Sequence, residues 1–337
     1  MSNERYSLIG TGGSPYSMKL RAIMRYRHIP HNWIHRTTKN SEAVAHVKPN
    51  IIPMLRYPDE DQYRVDSTPL AYALEDRHPD YRSIIPDDPG HAFLSHLLED
   101  MADEWLTKAM FHYRWYYDAD IHYASHWIAD DGFPEGRGEK RDDIAKSFAD
   151  RQIGRMPIVG CTPKNKPVIE DSFHRILALL ESHVSMHDFL FGTRPSLGDF
   201  GIFGQLKPLS TDPTPLAIMR AEAMKTESWV RQLDDASGIE GEWLNPEDDL
   251  PDATMGLLEL TGEFYMPFLL ANAAAAEKGE DTFSLTYANG SYSQATFNYQ
   301  VKCLMELRRK FAELEGGAAI RTRAILQQTG CLAALLR

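Results

Sequence analysis

The sequence predicts an α/β unit followed by an all-helical unit, and three observations carry that prediction. Short apolar runs and a hairpin are interleaved with two helical stretches over the first 77 residues. From His91 onward, apolar residues recur at helical spacing over much longer segments. Between the two, Pro79, Pro86 and Pro89 punctuate the chain. At 337 residues the chain also exceeds one average domain. The expected division is therefore an α/β unit over 1–88, an all-helical unit over 91–243, and an extension over 244–337 that packs on the helical unit.

Tyr6 to Ile9 is an apolar strand, and Tyr16 to Tyr26 is a helix with Met18, Ala22 and Ile23 on one face. Trp33-Ile34-His35 is a second strand. Ile51 to Leu55 is a third, and Tyr63 to Val65 pairs with it across the polar turn Pro58 to Asp61. Asp66-Ser67-Thr68 caps the next helix, Pro69 to Arg77, whose proline suits a first turn. In the second unit, Phe93, Leu97, Met101 and Trp105 recur every four residues along His91 to Ala109, and Phe111 to Trp127 is helical and aromatic on several sides. Asp130 to Asp143, rich in glycine and charge, reads as a loop. Helices then come at Asp171 to His183, Asp199 to Lys207, Leu216 to Lys225, Ser228 to Ser237 and Thr254 to Lys278. The segment Thr282 to Phe297 breaks the helical pattern: Asn289-Gly290 predicts a type I′ hairpin turn, because both central positions need positive φ. That turn sets Tyr287 opposite Tyr292, with Phe283 and Leu285 on the same face. A last helix runs from Tyr299 to about Leu314.

Composition excludes several function classes. A net charge of −12 without a basic stretch argues against nucleic acid or an anionic membrane surface as a partner. No apolar run approaches the ~18 residues of a membrane span, so a cytoplasmic location is expected. Three scattered cysteines, Cys161, Cys303 and Cys331, lack metal-type spacing and fit a reducing compartment. His122 and His126 share a helix face at i, i+4, but no third ligand is evident, so no metal is expected.

The first strand runs into Gly10-Thr11-Gly12-Gly13-Ser14-Pro15, where close backbone approach meets a helix start suited to negative charge. The dinucleotide fingerprint wants a third glycine where Pro15 stands, and a phosphate loop wants Gly-Lys-Ser/Thr. Both patterns fail. Ser14-Pro15-Tyr16-Ser17 instead has the spacing and the central proline of a thioredoxin-type Cys-x-x-Cys, with serine at both cysteine positions. With Ile52-Pro53, Asp66-Ser67 and the segment Phe189 to Phe200, in which Ser196 caps a helix and Asp199 answers three residues later, the chain up to about Trp243 resembles the glutathione transferases.

That resemblance implies a thioredoxin-like domain over 1–88, a helical domain over 91–243 and a homodimer. It implies glutathione as co-substrate, with the Ser14 hydroxyl donating to the sulfur as the catalytic group. A glutathione thiol, with a pKa of ~8.5, has little thiolate at neutral pH, and the helix start plus a hydroxyl donor stabilise the anion. The other reading of Ser14 is a plain helix cap. Pro53 holds the position of the family's cis-proline, with the backbone of Ile52 pairing to glutathione, and Asp66 and Ser67 resemble the pair that holds its γ-glutamyl end. Tyr16 and Ser17 complete the expected glutathione contacts. Ile51 stands where the family often has lysine, which leaves Lys39 and Lys48 as candidates for the glycyl end.

A small hydrophobic or aromatic electrophile is expected between the domains, against Tyr113, Arg114 and Tyr117 of an aromatic run. Arg114 suits an anionic electrophile; an ion pair with Asp103 or Asp118 is the structural alternative. The expected reaction is conjugation of glutathione or glutathione-dependent cleavage of an aromatic compound. The alternative is a non-catalytic protein of the same fold that holds a ligand or a partner.

Overall fold

The computed structural model describes residues 5–79, 81–134 and 138–336. Its first unit is a four-stranded sheet in the order β2-β1-β3-β4. Strand β1 (Tyr6–Gly10) lies centrally, parallel to β2 (His31–His35) and antiparallel to β3 (Met54–Arg56), which pairs in turn with β4 (Tyr63–Val65). Side chains alternate across a strand, so β1 feeds two cores. Tyr6 and Leu8 pack with Leu20, Met24, Leu55, Leu70 and Leu74, beneath the Pro15–Tyr26 and Ser67–Arg77 helices. Ile9 turns the other way, onto Val44, Val47 and Met54.

The second unit is helical, and its centre is the Leu197–Leu209 helix, almost wholly buried. Its start carries the expected capping box: Ser196 Oγ accepts from the Asp199 N–H, and Asp199 Oδ2 accepts from the Ser196 N–H at 2.8 Å. Gly201 and Gly204, three residues apart, let it approach two neighbours. A Cβ on Gly204 would sit 3.0 Å from the Pro15 carbonyl oxygen, and one on Gly201 2.8 Å from Glu99 Cα. The helix that begins at Pro15 is therefore seated directly against the helical unit.

The extension joins the same core. Trp105 is ringed by Phe264, Phe268, Tyr287 and Tyr292, all contributed by residues beyond 244, with ring centroids between 5.5 and 5.9 Å. Strands β5 (Thr282–Tyr287) and β6 (Gly290–Ala295) form the hairpin, with Phe283 and Tyr287 buried and Ser284 and Thr286 exposed between them.

Several elements differ from the sequence reading. The third strand starts at Met54, and Ile51 to Pro53 lead into it outside the sheet. The helix expected over His91 to Ala109 comprises Pro89–Met101, a π-helical turn at Ala102–Leu106 and the start of Thr107–Tyr116. Tyr117 is extended and separates that last helix from Asp118–Gly132. A second π turn, Thr261–Tyr265, interrupts the helix expected over Thr254 to Lys278. Within the loop expected over Asp130 to Asp143, residues 135–137 lie outside the described ones, and a helix, Arg141–Ile153, begins before its end. The hairpin turn falls at Ala288-Asn289, so Leu285, not Tyr287, faces Tyr292. Gly290 pairs with Tyr287 at a φ of +156°, and Asn289 Nδ2 donates to the Pro167 carbonyl. Beyond Asn298–Ala312 come two further helices, Gly316–Gln328 and Leu332–Leu335. No described helix is long and apolar enough to cross a membrane.

Candidate active site

Strand β1 ends where the chain turns through Thr11 to Gly13, and Ser14 caps the Pro15–Tyr26 helix. The Ser14 Oγ accepts from the Ser17 N–H at 3.3 Å. Capping uses the oxygen only as an acceptor, which leaves the hydroxyl proton available. Arg114 reaches this turn from the helical unit: its Nη1 donates to the Gly13 carbonyl at 2.7 Å and its Nε to Asp212 Oδ2 at 2.7 Å. The ion pair expected for Arg114 thus exists, with Asp212 in place of Asp103 or Asp118. Its Nη2 is buried without a hydrogen-bond partner among the described residues.

A cavity of about 700 Å³ opens between the two units and the extension. Ser14, Tyr16, Ile52, Pro53, Asp66, Ser67 and Arg114 all line it, whereas Ser17, Tyr113 and Tyr117 do not. Ser17 is fully buried on the far side of its turn, where a Cβ on Gly10 would sit 2.6 Å from its Oγ. Tyr113 is 1% exposed and stacks on Tyr117, whose hydroxyl is bonded to Glu170. The expectation of an aromatic wall is corrected by one helical turn's geometry: Phe111, Arg114 and Trp115, at i, i+3 and i+4, share the cavity face, while Tyr113 points into the core and Tyr117, partly buried, packs against it. Ile128, Phe148 and Ile158 continue the apolar wall.

The opposite wall suits a peptide-like ligand. The Ile52-Pro53 peptide is cis. Ile52 lies outside the strands, and its backbone N–H and C=O have no hydrogen-bond partner among the described residues. Asp66 takes a φ of +79° at the start of the Ser67–Arg77 helix and makes no side-chain cap bond, so the first N–H groups of that helix are unspent. Neither Lys39 nor Lys48 lines the cavity; Arg155, at its edge, has no ion-pair partner among the described residues.

The floor is acidic and was not legible in the sequence. Asp100, Asp103 and Glu104, on and beside the first π turn, all line the cavity. Burial pushes Asp100 and Asp103 up to about 7 and Glu104 up to about 8. Tyr265 donates to Asp100 at 2.6 Å and Gln300 Nε2 to Glu104 at 3.0 Å. Behind them Lys19, fully buried, is bonded to Glu99 at 2.6 Å, to Asp103 and to Thr68 Oγ1 at 3.2 Å. Tyr16 donates to the Asp103 carbonyl at 3.1 Å. Burial lowers Lys108 to about 8, where its Nζ donates to Gln294 at 2.7 Å. In the primary sequence these charges fall on an apparently solvated helix face; only the fold reveals their partners.

The His122 and His126 ring centroids lie 4.4 Å apart with the rings tilted, and His126 pairs with Asp142; among the described residues no group of three or more side chains is arranged to hold a metal. All three cysteines are buried and free, and burial holds the Cys161 and Cys331 thiols up at about 12.

A thioredoxin-like α/β domain followed by helices, with an open site at the first strand-to-helix junction, is the glutathione transferase architecture. Residues 8–82 match the family model of the glutathione S-transferase N-terminal domain. No curated protein matches it. Solved structures similar to it include glutathione transferase GSTFuA3 from Phanerochaete chrysosporium (15% identity, 68% of this chain and 96% of that one, TM-score 0.48). Another is a glutathione S-transferase from Methylobacterium radiotolerans in complex with glutathione sulfonate (19%, 73% and 99%, TM-score 0.42). A third is the beta-etherase LigF from Sphingobium sp. (17%, 68% and 94%, TM-score 0.43).

Proposed function

We propose that the protein binds glutathione on residues 1–88 and activates its thiol for attack on a small hydrophobic or aromatic electrophile, as a cytoplasmic homodimer. The reaction is conjugation or glutathione-dependent cleavage. One observation carries the reading: Ser14, the Ile52-Pro53 cis peptide, Asp66 and Ser67 open onto a single cavity with an apolar wall beside them.

In this reading the cysteinyl backbone pairs with the free N–H and C=O of Ile52. The γ-glutamyl carboxylate takes the unspent N–H groups at the start of the Ser67–Arg77 helix with the Ser67 hydroxyl, and its ammonium takes Asp66. The sulfur lies at the Ser14 hydroxyl, which donates to the thiolate while its oxygen still accepts from Ser17. A donor to a charged acceptor contributes ~1.5–3 kcal/mol, or about one to two pKa units on the thiol. The acidic floor opposes this anion less than three free carboxylates would, because burial raises Asp100, Asp103 and Glu104 above the usual carboxylate range and Asp103 is paired with Lys19. The electrophile lies against Phe111, Trp115 and Phe148, with Arg114 in the same wall and Arg155 available to an anionic group.

The test is an ultraviolet difference titration of bound glutathione against pH in the wild type and Ser14→Ala. A thiolate band near neutrality in the wild type, displaced upward by about one to two units in the variant, is expected. Glutathione bound as the thiol in both would favour the ligand-holding alternative, and absence of binding would sink the reading.

A further inference from the structure

The extension does more than pack on the helical unit: one short segment of it, Gln294 to Gln300, hydrogen-bonds three charged groups that line the cavity. Lys108 donates to Gln294 Oε1 at 2.7 Å, Gln300 Nε2 donates to Glu104 at 3.0 Å, and the Tyr299 hydroxyl donates to Asp66 Oδ2 at 2.9 Å. Asp66 belongs to the α/β unit, so the last of these bonds spans 233 residues and ties the far end of the chain to the glutathione side of the cleft.

The segment is rigidly mounted. Asn272, fully buried, accepts from the Phe297 N–H at 2.8 Å and donates to its carbonyl at 2.9 Å. The Thr296 N–H donates to the Asp281 carbonyl at 2.8 Å and its hydroxyl to the Glu280 carbonyl at 2.6 Å. A side chain carried on such a mount holds its partner in one place. Asp66 needs holding. Its φ of +79° is unusual for a residue with a Cβ, its carboxylate does not cap its own helix, and among the described residues Tyr299 is that carboxylate's only hydrogen-bond partner. The Tyr299 bond occupies Oδ2 and leaves Oδ1 for a ligand.

We propose that Tyr299 is a positioning residue of the glutathione site, fixing the Asp66 carboxylate so that its second oxygen meets the ammonium of the γ-glutamyl group. This rests on the glutathione reading above and adds to it that the site is incomplete without the extension. Tyr299 does not touch the reacting sulfur; it acts through Asp66. Its influence is thus confined to one functional group of one substrate.

Calorimetric binding on the full chain tests this, with glutathione and with its des-amino analogue, glutaryl-cysteinylglycine, as probes. Tyr299→Phe should weaken glutathione about three- to tenfold, the scale of one hydrogen bond, and leave the des-amino analogue unchanged. In Asp66→Asn the same change should have no further effect, and the KM for the electrophile at saturating glutathione should not move. Equal weakening of both probes, no weakening of either, or full additivity with Asp66→Asn would overturn the inference while leaving the glutathione reading intact. A wild type that binds neither probe would overturn both. Phenylalanine keeps the ring's packing, so an unchanged melting temperature in Tyr299→Phe separates positioning from folding.

Discussion

Arg114 clamps the turn before the first helix: one guanidinium nitrogen donates to the Gly13 carbonyl and another to Asp212, both at 2.7 Å, and the side chains of Arg114 and Asp212 are almost entirely buried. The bond to Gly13 fixes the residue next to Ser14 from a different unit of the chain. Burial raises the pKa of Asp212, and the bond from Arg114 offsets part of that rise.

Arg114→Ala therefore strands a buried carboxylate, and a loss of about 3–5 kcal/mol is expected. Arg114→Lys keeps the charge but lacks the fork that spans two acceptors. It should fold with a smaller loss, and turnover should fall about tenfold because the Gly13-Ser14 turn is no longer held. Melting temperature and kcat measured together check this. A lysine variant with wild-type kcat would remove Arg114 from the positioning of Ser14.

The aromatic run separates cavity from core at single-residue resolution. Tyr113 is buried against Phe173 and Tyr117, so Tyr113→Ala should cost about 3–5 kcal/mol, as large core truncations do. Phe111 is only partly buried and faces the cavity. Phe111→Ala should raise the KM for an aromatic electrophile severalfold with little change in melting temperature. The reverse pattern would mean that the electrophile lies elsewhere.

The same run shows where a sequence discloses its structure and where it does not. Local signals were readable where one segment fixes its own structure: the β1-to-helix junction at Ser14, the Ser196–Asp199 capping box, the alternation of Phe283, Leu285 and Tyr287. Which face of Phe111 to Trp127 meets the cavity was not, because aromatic residues all round a helix give no direction. The extended Tyr117 then resets the phase of the Asp118–Gly132 helix. Buried charges were hidden for a related reason. Lys19, Glu99 and Asp103 look solvated one by one, and only their convergence from separate helices makes their burial tolerable. The π turn at Ala102–Leu106 has no simple periodic signature, yet it brings Asp103 and Glu104 to the cavity floor.

That floor gives the protein a pH dependence whose sign is fixed. Burial raises Glu104 to about 8, with Asp100 adding repulsion, and raises Asp100 and Asp103 to about 7. Carboxyls whose folded pKa lies above the unfolded value of ~4 bind more protons when folded, so their contribution to stability is complete below pH ~4 and is lost as pH rises through 7 to 8. Lys108, lowered by burial to about 8, acts oppositely and only above that value: between pH 8 and ~10.4 the unfolded chain holds the extra proton, and stability recovers. The melting temperature should therefore fall between pH 5 and 8. Glu104→Gln carries no titratable group and retains an acceptor for the Gln300 amide, so it should flatten that fall. The variant should match the wild type at pH 5 and exceed it by roughly 2–4 °C at pH 8. Turnover responds to the same group, because ionised Glu104 repels a thiolate in the shared cavity. The variant's activity should then persist further above pH 8 than the wild type's. Parallel melting curves for the two proteins across pH 5–8 would show that Glu104 is not the group that titrates.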